Sequence, residues 1–261
     1  MNNSNILSVV TLTFNNYHEL IKTVNSLKGI DSVESIIVNG GSCIETKKFL
    51  EKNNQYTSIS EPDYGISDAF DKGVKLSSGK FVTFLNSGDI LIDREYYQFA
   101  INYLSNSSHI KYIYADIELN HKYMGKQIVL PSCKSGKTPF PHPSLIVKKS
   151  IFNKIGSFDL TLKIAMDYDF MCRLIKERYR GFYYKKAVVL MDGNGISSNN
   201  GLEAVNERIL ILRRYNLHNF YSYYYLQKLK FKILIRKVLN KLGILDFYDR
   251  IKYSIKSDRM E

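Results

Sequence analysis

The chain has 261 residues, of which 44% are hydrophobic and 24% charged, and it carries a formal net charge of +12. This balance excludes a disordered chain and supplies apolar mass for one main α/β unit with an appendage. Cys43, Cys133 and Cys172 are widely spaced and form no CxxC pair, which argues against a disulfide framework or a zinc site and for a reducing cytoplasm.

The apolar run from Ile6 to Leu12 is interrupted by Ser8 and Thr11. It is far shorter than the roughly 20 residues of a spanning helix, so neither a signal peptide nor a transmembrane segment is expected. Ile6 to Thr13 is rich in β-branched residues and ends at Asn15 and Asn16, as a buried strand closing into a loop does. Leu20, Ile21, Val24 and Leu27 then recur at helical spacing up to Gly29, and Glu34 to Val38 reads as a second strand halted by Asn39, Gly40 and Gly41. The pattern predicts a helix near residues 44–52, a short strand at 57–60, a helix at 66–76 and a strong strand at 80–85. Such alternation implies a mostly parallel sheet flanked by helices, with ligands at the carboxyl ends of its strands.

From about residue 110 the order changes. Tyr112 to Ile117 reads as a strand that ends near Asp116, and four of the five prolines fall between Pro131 and Pro143, where no α-helix is expected. Ser144 to Val147 returns to the sheet, a helix is predicted at about 168–178, and Phe182 to Leu190 is a further strand. Beyond Tyr215 no βα unit remains. The chain therefore divides into a main unit at 1–215, with one half at about 1–110 and the other at about 111–215, and a tail at 216–261.

The tail holds much of the charge: from Arg213 to Glu261 there are 12 Lys and Arg against 4 Asp and Glu. Phe231, Leu234, Ile235, Val238, Leu239 and Leu242 gather on one helical face, flanked by Lys228, Lys230, Lys232, Arg236, Lys237 and Lys241. Tyr221, Tyr223, Tyr224 and Tyr225 precede them. This basic, Tyr-rich amphipathic helix fits either a membrane surface or a packing role on the main unit.

The chemistry-bearing segments lie at predicted strand ends. Asn86-Ser-Gly-Asp89 follows a buried strand, where Asp89 beside Gly88 can ligate a hard divalent cation; the simpler reading is a turn bonded to its own backbone. Ser60 to Gly73 precedes that strand and contains Asp63, placed to meet a ribose or base, and Asp68, placed to favour the helix dipole. His142 stands between two prolines, a candidate for contact with the acceptor or the donor phosphate, or an ordinary loop histidine. Asp167, Asp169 and Arg173 follow, with Asp167 readable as a helix N-cap or as a base, and Asp169 and Arg173 at ion-pair spacing. Asp116 is a candidate for a hydroxyl of donor or acceptor, or a turn carboxylate. The loop from Asp192 to Ser198, with two glycines, is a candidate lid.

In this order the motifs resemble those of the family 2 glycosyltransferases with the GT-A fold, notably bacterial enzymes of exopolysaccharide, colanic acid and O-antigen assembly. Ser8 to Asn15 is similar to the family's first strand and donor loop, which implies donor-binding roles for Thr11, Phe14 and Asn15. Ile36 to Ser42 is similar to the second, adding Asn39 and Gly40, and Ser60 to Gly73 is similar to the donor-binding loop and helix, adding Asp63. Phe84 to Asp89 resembles the metal motif, adding Asn86 and Asp89, with Asp89 left as the sole carboxylate for Mg²⁺ or Mn²⁺. Two positions depart from the family, which usually has Asp where this chain has Asn39 and Asn86; metal is therefore expected to bind together with donor. Ala165 to Arg173 is similar to the acceptor segment, which makes Asp167 the catalytic base.

The resemblance implies an inverting transfer from a nucleotide sugar, with a UDP-sugar favoured, to a glycan or a polyprenyl-diphosphate-linked acceptor in surface polysaccharide synthesis. It also implies a cytoplasmic enzyme peripheral on the inner membrane face through its tail, with no nucleic-acid partner and with self-association left open. Two other classes stand beside it. A nucleotidyltransferase requires a Gly-rich loop with a basic residue near the N-terminus, and Thr11 to Asn16 has neither; a non-enzymatic basic membrane- or nucleic-acid-binding protein requires only the charge.

Overall fold

The computed structural model describes residues 7–121, 125–132, 136–192 and 200–250. The candidate lid at 192–198 and Cys133 therefore lie essentially outside the described residues. Four parallel strands form one half of the sheet: β1 (Leu7–Thr13), β2 (Val33–Asn39), β3 (Thr57–Ser60) and β4 (Phe81–Phe84). All seven residues of β1 are buried, as the central strand of a parallel sheet covered on both faces demands. Helices α1 (Tyr17–Leu27), α2 (Ile44–Lys52) and α3 (Ile66–Leu76) make the crossovers, and α1 buries Leu20, Thr23, Val24 and Leu27, one stripe at helical spacing.

The second half mixes directions. It contains β5 (Ile90–Leu91), α4 (Glu95–Asn106), β6 (Ile110–His121), β7 (Gly125–Val129), a 3₁₀ turn at His142–Ser144, β8 (Ile146–Lys148), α5 (Ser150–Ile155), α6 (Met166–Lys176) and β9 (Arg180–Asp192). The strand order is β3-β2-β1-β4-β8-β6-β9-β5, with β7 paired to β6. β8 is antiparallel to both β4 and β6, β5 is antiparallel to β9, and β6 runs parallel to β9. The sheet is parallel where the helical crossovers are regular and mixed beyond β4.

Residues alternate between two cores on opposite faces. Leu7, Val9, Ile113 and Ile146 point to the face covered by α4, while Val10, Leu12, Tyr112 and Val147 point to the face covered by α3 and α6. Helix α4, which the sequence reading did not anticipate, buries Tyr96, Tyr97, Ala100, Ile101 and Leu104. The expected end of a strand at Asp116 is corrected: β6 runs on to His121, and Asp116 sits at a register shift against β9.

Two helices close the described chain, α7 (Gly201–Arg214) and α8 (Phe220–Lys241). Asn219 and Ser222 form a reciprocal capping box at the start of α8. The apolar face read from the sequence is not the one that packs inward. Ser222 and Leu226 are buried, and Tyr225, Leu229 and Ile233 pack on the core, while Phe231, Leu234, Ile235, Val238 and Leu242 remain exposed. Two apolar stripes share this helix. None of the described helices is long and apolar enough to cross a membrane.

Candidate active site

Because β1, β2 and β4 are parallel neighbours, the loops at their carboxyl ends meet at one edge. The first loop is shaped by its own side chains: Thr13 Oγ1 donates to Asn16 Oδ1 at 2.6 Å, and Asn15 takes a φ of 53°. Asn15 Oδ1 then accepts from Ser42 N at 2.8 Å and Cys43 N at 2.9 Å, tying the β1 loop to the β2 loop. Phe14 projects from this junction with 68% of its surface exposed. Thr11 does not reach it, since it lies inside β1 opposite Ile37 and is buried.

Asn39 closes β2 and is fully buried. Its Nδ2 donates to Ser60 Oγ at 2.8 Å and its Oδ1 accepts from Gly41 N at 3.1 Å, so the amide joins β2 to β3. Gly40 is a close-approach glycine: a Cβ there would stand 1.7 Å from Asp63 Oδ2. Asp63 is held by Lys72, whose Nζ lies 3.0 Å from each of Glu61, Asp63 and Asp68. Burial pulls the Lys72 ammonium down, but hydrogen bonds to Asp63, Asp68 and Glu61 outweigh it and hold its pKa well above the ordinary lysine value. Lys72 was not singled out in the sequence, although its i+4 spacing from Asp68 signals the pair. Asp68 also accepts from Tyr64 N at 3.1 Å at the start of α3.

The Asn86–Asp89 turn is bonded to its own backbone and to α1. Asp89 N donates to Asn86 O at 2.9 Å, and Asn86 N donates to Asp89 Oδ2 at 3.2 Å. Thr23 Oγ1 donates to Asp89 O at 2.8 Å and accepts from Gly88 N at 3.0 Å. Asp89 is 6% exposed, so its carboxylate is largely enclosed by this turn. Asn86 reaches the other half of the molecule. Its Nδ2 lies 3.3 Å from His142 Nε2, and its Oδ1 is buried with no hydrogen-bond partner among the described residues.

His142 stands between Asn86 and Asp167. With the Asn86 amide donating to Nε2, the ring proton sits on Nδ1, which lies 3.7 Å from Asp167 Oδ2. This is an electrostatic approach rather than a hydrogen bond. Burial lowers the His142 pKa from the ordinary value, and the nearby Asp167 opposes that shift, leaving a ring inclined to stay neutral. Phe70, Phe84, Phe158 and Phe170 wall the pocket behind His142 and Asp167.

Asp167 is the second residue of α6, which starts at Met166, two residues earlier than the sequence suggests. The N-cap reading is corrected, because Ala165 occupies that position. One Asp167 oxygen accepts from Tyr168 N at 2.6 Å, and the side chain keeps 27% exposure. Asp169 points elsewhere and is 1% exposed. It takes Arg173 Nε at 2.9 Å and the Tyr215 hydroxyl at 2.9 Å. Arg173 also donates to the carbonyls of Ile155, Gly156 and Ser157 at 2.6 to 2.7 Å, which makes this pair a brace between α5 and α6.

Asp116 is buried and accepts from the Tyr183 hydroxyl at 2.6 Å. Burial, followed by this carboxylate, pushes the Tyr183 pKa up to about 12. The site residues thus sort into an exposed edge of Phe14 and Asn15, a buried frame of Thr11, Asn39, Asp116 and Asp169 with Arg173, and a polar line of Asn86, His142 and Asp167. Among the described residues no three His, Cys, Asp or Glu side chains gather to hold a metal ion. Asp89 alone, enclosed and accepting a backbone N–H, does not make a site for a resident cation.

Comparisons with known proteins agree with this architecture. An uncharacterized glycosyltransferase of Mycobacterium tuberculosis is 28% identical over 184 residues, 66% of this chain and 70% of the relative. The Staphylococcus aureus TarS 1–349 structure in complex with UDP-GlcNAc superposes with a TM-score of 0.60 at 17% identity, covering 88% of this chain and 71% of that one. The mannosyltransferase PcManGT from Pyrobaculum calidifontis, in complex with GDP-Man and Mn²⁺, gives 0.61 at 11% identity, covering 82% and 64%. These solved structures share the GT-A fold. The family described as Glycosyl transferase family 2 matches residues 8–180, more than half of the chain, which therefore belongs to that family and is a glycosyltransferase.

Proposed function

We propose that this enzyme transfers a sugar, with inversion, from a nucleoside diphosphate sugar to a hydroxyl of a glycan or lipid-linked acceptor. The observation that carries the reading is Asp167, a partly exposed carboxylate at the start of α6 that faces His142, which in turn meets Asn86 at the end of the parallel strands. Asp167 accepts the acceptor's hydroxyl proton as that oxygen bonds to the anomeric carbon and the nucleoside diphosphate departs with the bonding pair. The UDP-GlcNAc and GDP-Man of the two superposed structures support a nucleotide-sugar donor, and a UDP-sugar is the first choice to test. Phe14 and Asn15, with Gly40 and Asp63 behind them, form the donor edge. Asp116, Asp169 and Arg173 support the acceptor side.

A divalent cation enters only as a companion of the donor, whose diphosphate supplies the oxygens that Asp89 cannot supply alone. When bound, such a cation would neutralise charge on the leaving diphosphate. The exposed stripe on α8, with its lysines, fits contact with an anionic lipid surface during synthesis of a bacterial surface polysaccharide. A panel of UDP-, GDP- and dTDP-sugars, with Mn²⁺ or EDTA, identifies the donor by thermal stabilisation. Asp167→Asn should keep that stabilisation and lose about 10²- to 10⁴-fold in turnover. Near wild-type turnover overturns the base assignment.

A further inference from the structure

The start of α6 has no side-chain cap of its own, since Ala165 occupies the N-cap position. The amides before it are satisfied from a distant part of the chain. Glu207, on α7, accepts from Lys163 N at 2.7 Å with one carboxylate oxygen, and from Ile164 N at 3.0 Å and Ala165 N at 2.7 Å with the other. A carboxylate facing free N–H groups at a helix start gains from hydrogen bonding and from the helix dipole together. Asp167 lies two residues beyond the last of these amides.

The neighbouring residue extends the grip. Arg208 stacks over the Tyr168 ring at 5.2 Å and its Nη2 donates to Thr138 Oγ1 at 3.0 Å, four residues before His142. On the opposite side, Ser67 of α3 hydrogen-bonds the carbonyl of Leu162. The peptide leading into Asp167 is thus clasped between the helix that follows Asp63 and a helix beyond the last strand. α8 adds weight to the clasp, because its Ser222 backbone lies against Gly136 and its Ile233 against Gly201.

We propose that Glu207 is a positioning residue for Asp167, with Arg208 holding the His142 side of the same geometry. The proposal rests on Asp167 as the base. Loss of the carboxylate frees three amides, lets the first turn of α6 fray and moves Asp167 relative to His142 without touching the donor edge. Displacements on the order of 1 Å cost about 10²-fold in rate.

The test uses the full chain. Amide hydrogen exchange of Glu207→Ala should rise at least tenfold at residues 163–168 while β1 and β2 stay protected, with Glu207→Gln intermediate because it keeps one acceptor oxygen. Turnover of the donor found in the thermal panel should fall about 10- to 100-fold in Glu207→Ala at a donor KM within twofold of wild type, and Glu207→Gln should recover part of it. Unchanged exchange at 163–168, exchange that rises everywhere, or unchanged turnover each overturns the proposal. If Asp167→Asn retains activity, the base reading fails instead, and the exchange result still decides whether Glu207 holds the helix start.

Discussion

The two halves of the sheet hold their polar residues in different ways. At the parallel half, each loop carries short-range bonds of its own, as Thr13 with Asn16, Asn39 with Gly41 and Asn86 with Asp89 show, and Thr23 of α1 adds a distant tie at the Asn86–Asp89 turn. At the mixed half, the residues around Asp167 depend on partners from the end of the chain: Glu207, Arg208, Arg214 and Tyr215. The difference is one of loop-closure entropy. A local bond orders few residues, whereas a bond across forty or more must wait for the whole fold and survives only if neighbouring contacts are made with it.

The contrast can be broken first at the donor edge. Gly40→Ala places a Cβ against the Asp63 carboxylate and forces it off Lys72. The expected cost is about 1–3 kcal/mol of stability, with a donor KM raised about tenfold, a factor worth about 1.4 kcal/mol, and little change at saturating donor. A mutant with wild-type KM would show that Asp63 does not face the donor.

A smaller effect separates the halves by pH. His142 is held below its ordinary value of 6.5 by burial, so between the folded and unfolded values the unfolded chain binds a proton that the folded chain does not. Its stabilising contribution is fully present above about pH 6.5 and is lost as pH falls toward the lower folded value. Thermal midpoints of wild type and His142→Gln between pH 7.5 and 5 should converge on acidification. A gap that stays constant across this range refutes the lowering of the His142 pKa by burial.

The smallest effect on the fold is expected at the outer stripe of α8. Phe231→Asp and Val238→Asp alter exposed positions, at 65% and 57% exposure, and should change stability by less than about 0.5 kcal/mol. They should nonetheless reduce cosedimentation with anionic vesicles severalfold, while neutral vesicles bind neither protein. Equal cosedimentation of mutants and wild type removes the lipid reading of this face.

Much of the parallel half was legible because each element carries a local signal. Ile66 to Leu76 shows its helix in the spacing of Ile66, Phe70 and Val74, and β1 shows its strand in a run rich in β-branched residues that ends at Asn15 and Asn16. Helix α4 was missed although Tyr96, Tyr97 and Ala100 face inward, because tyrosines serve a core or a surface equally well. The inner stripe of α8 went unread for a related reason: two apolar faces share one helix, and only the position of α7 decides which is covered.

The sequence by itself determined the family, the order of the motifs, and the placement of Asn86, His142 and Asp167 on loops or helix starts, since these follow from residue types over short windows. Only the tertiary structure decided that Asn39 faces Ser60, that Asp89 is enclosed, and that Glu207 caps the helix carrying Asp167. Those outcomes depend on which distant groups arrive at a buried N–H or carboxylate, and a buried polar group takes whatever partner the assembled fold brings to it.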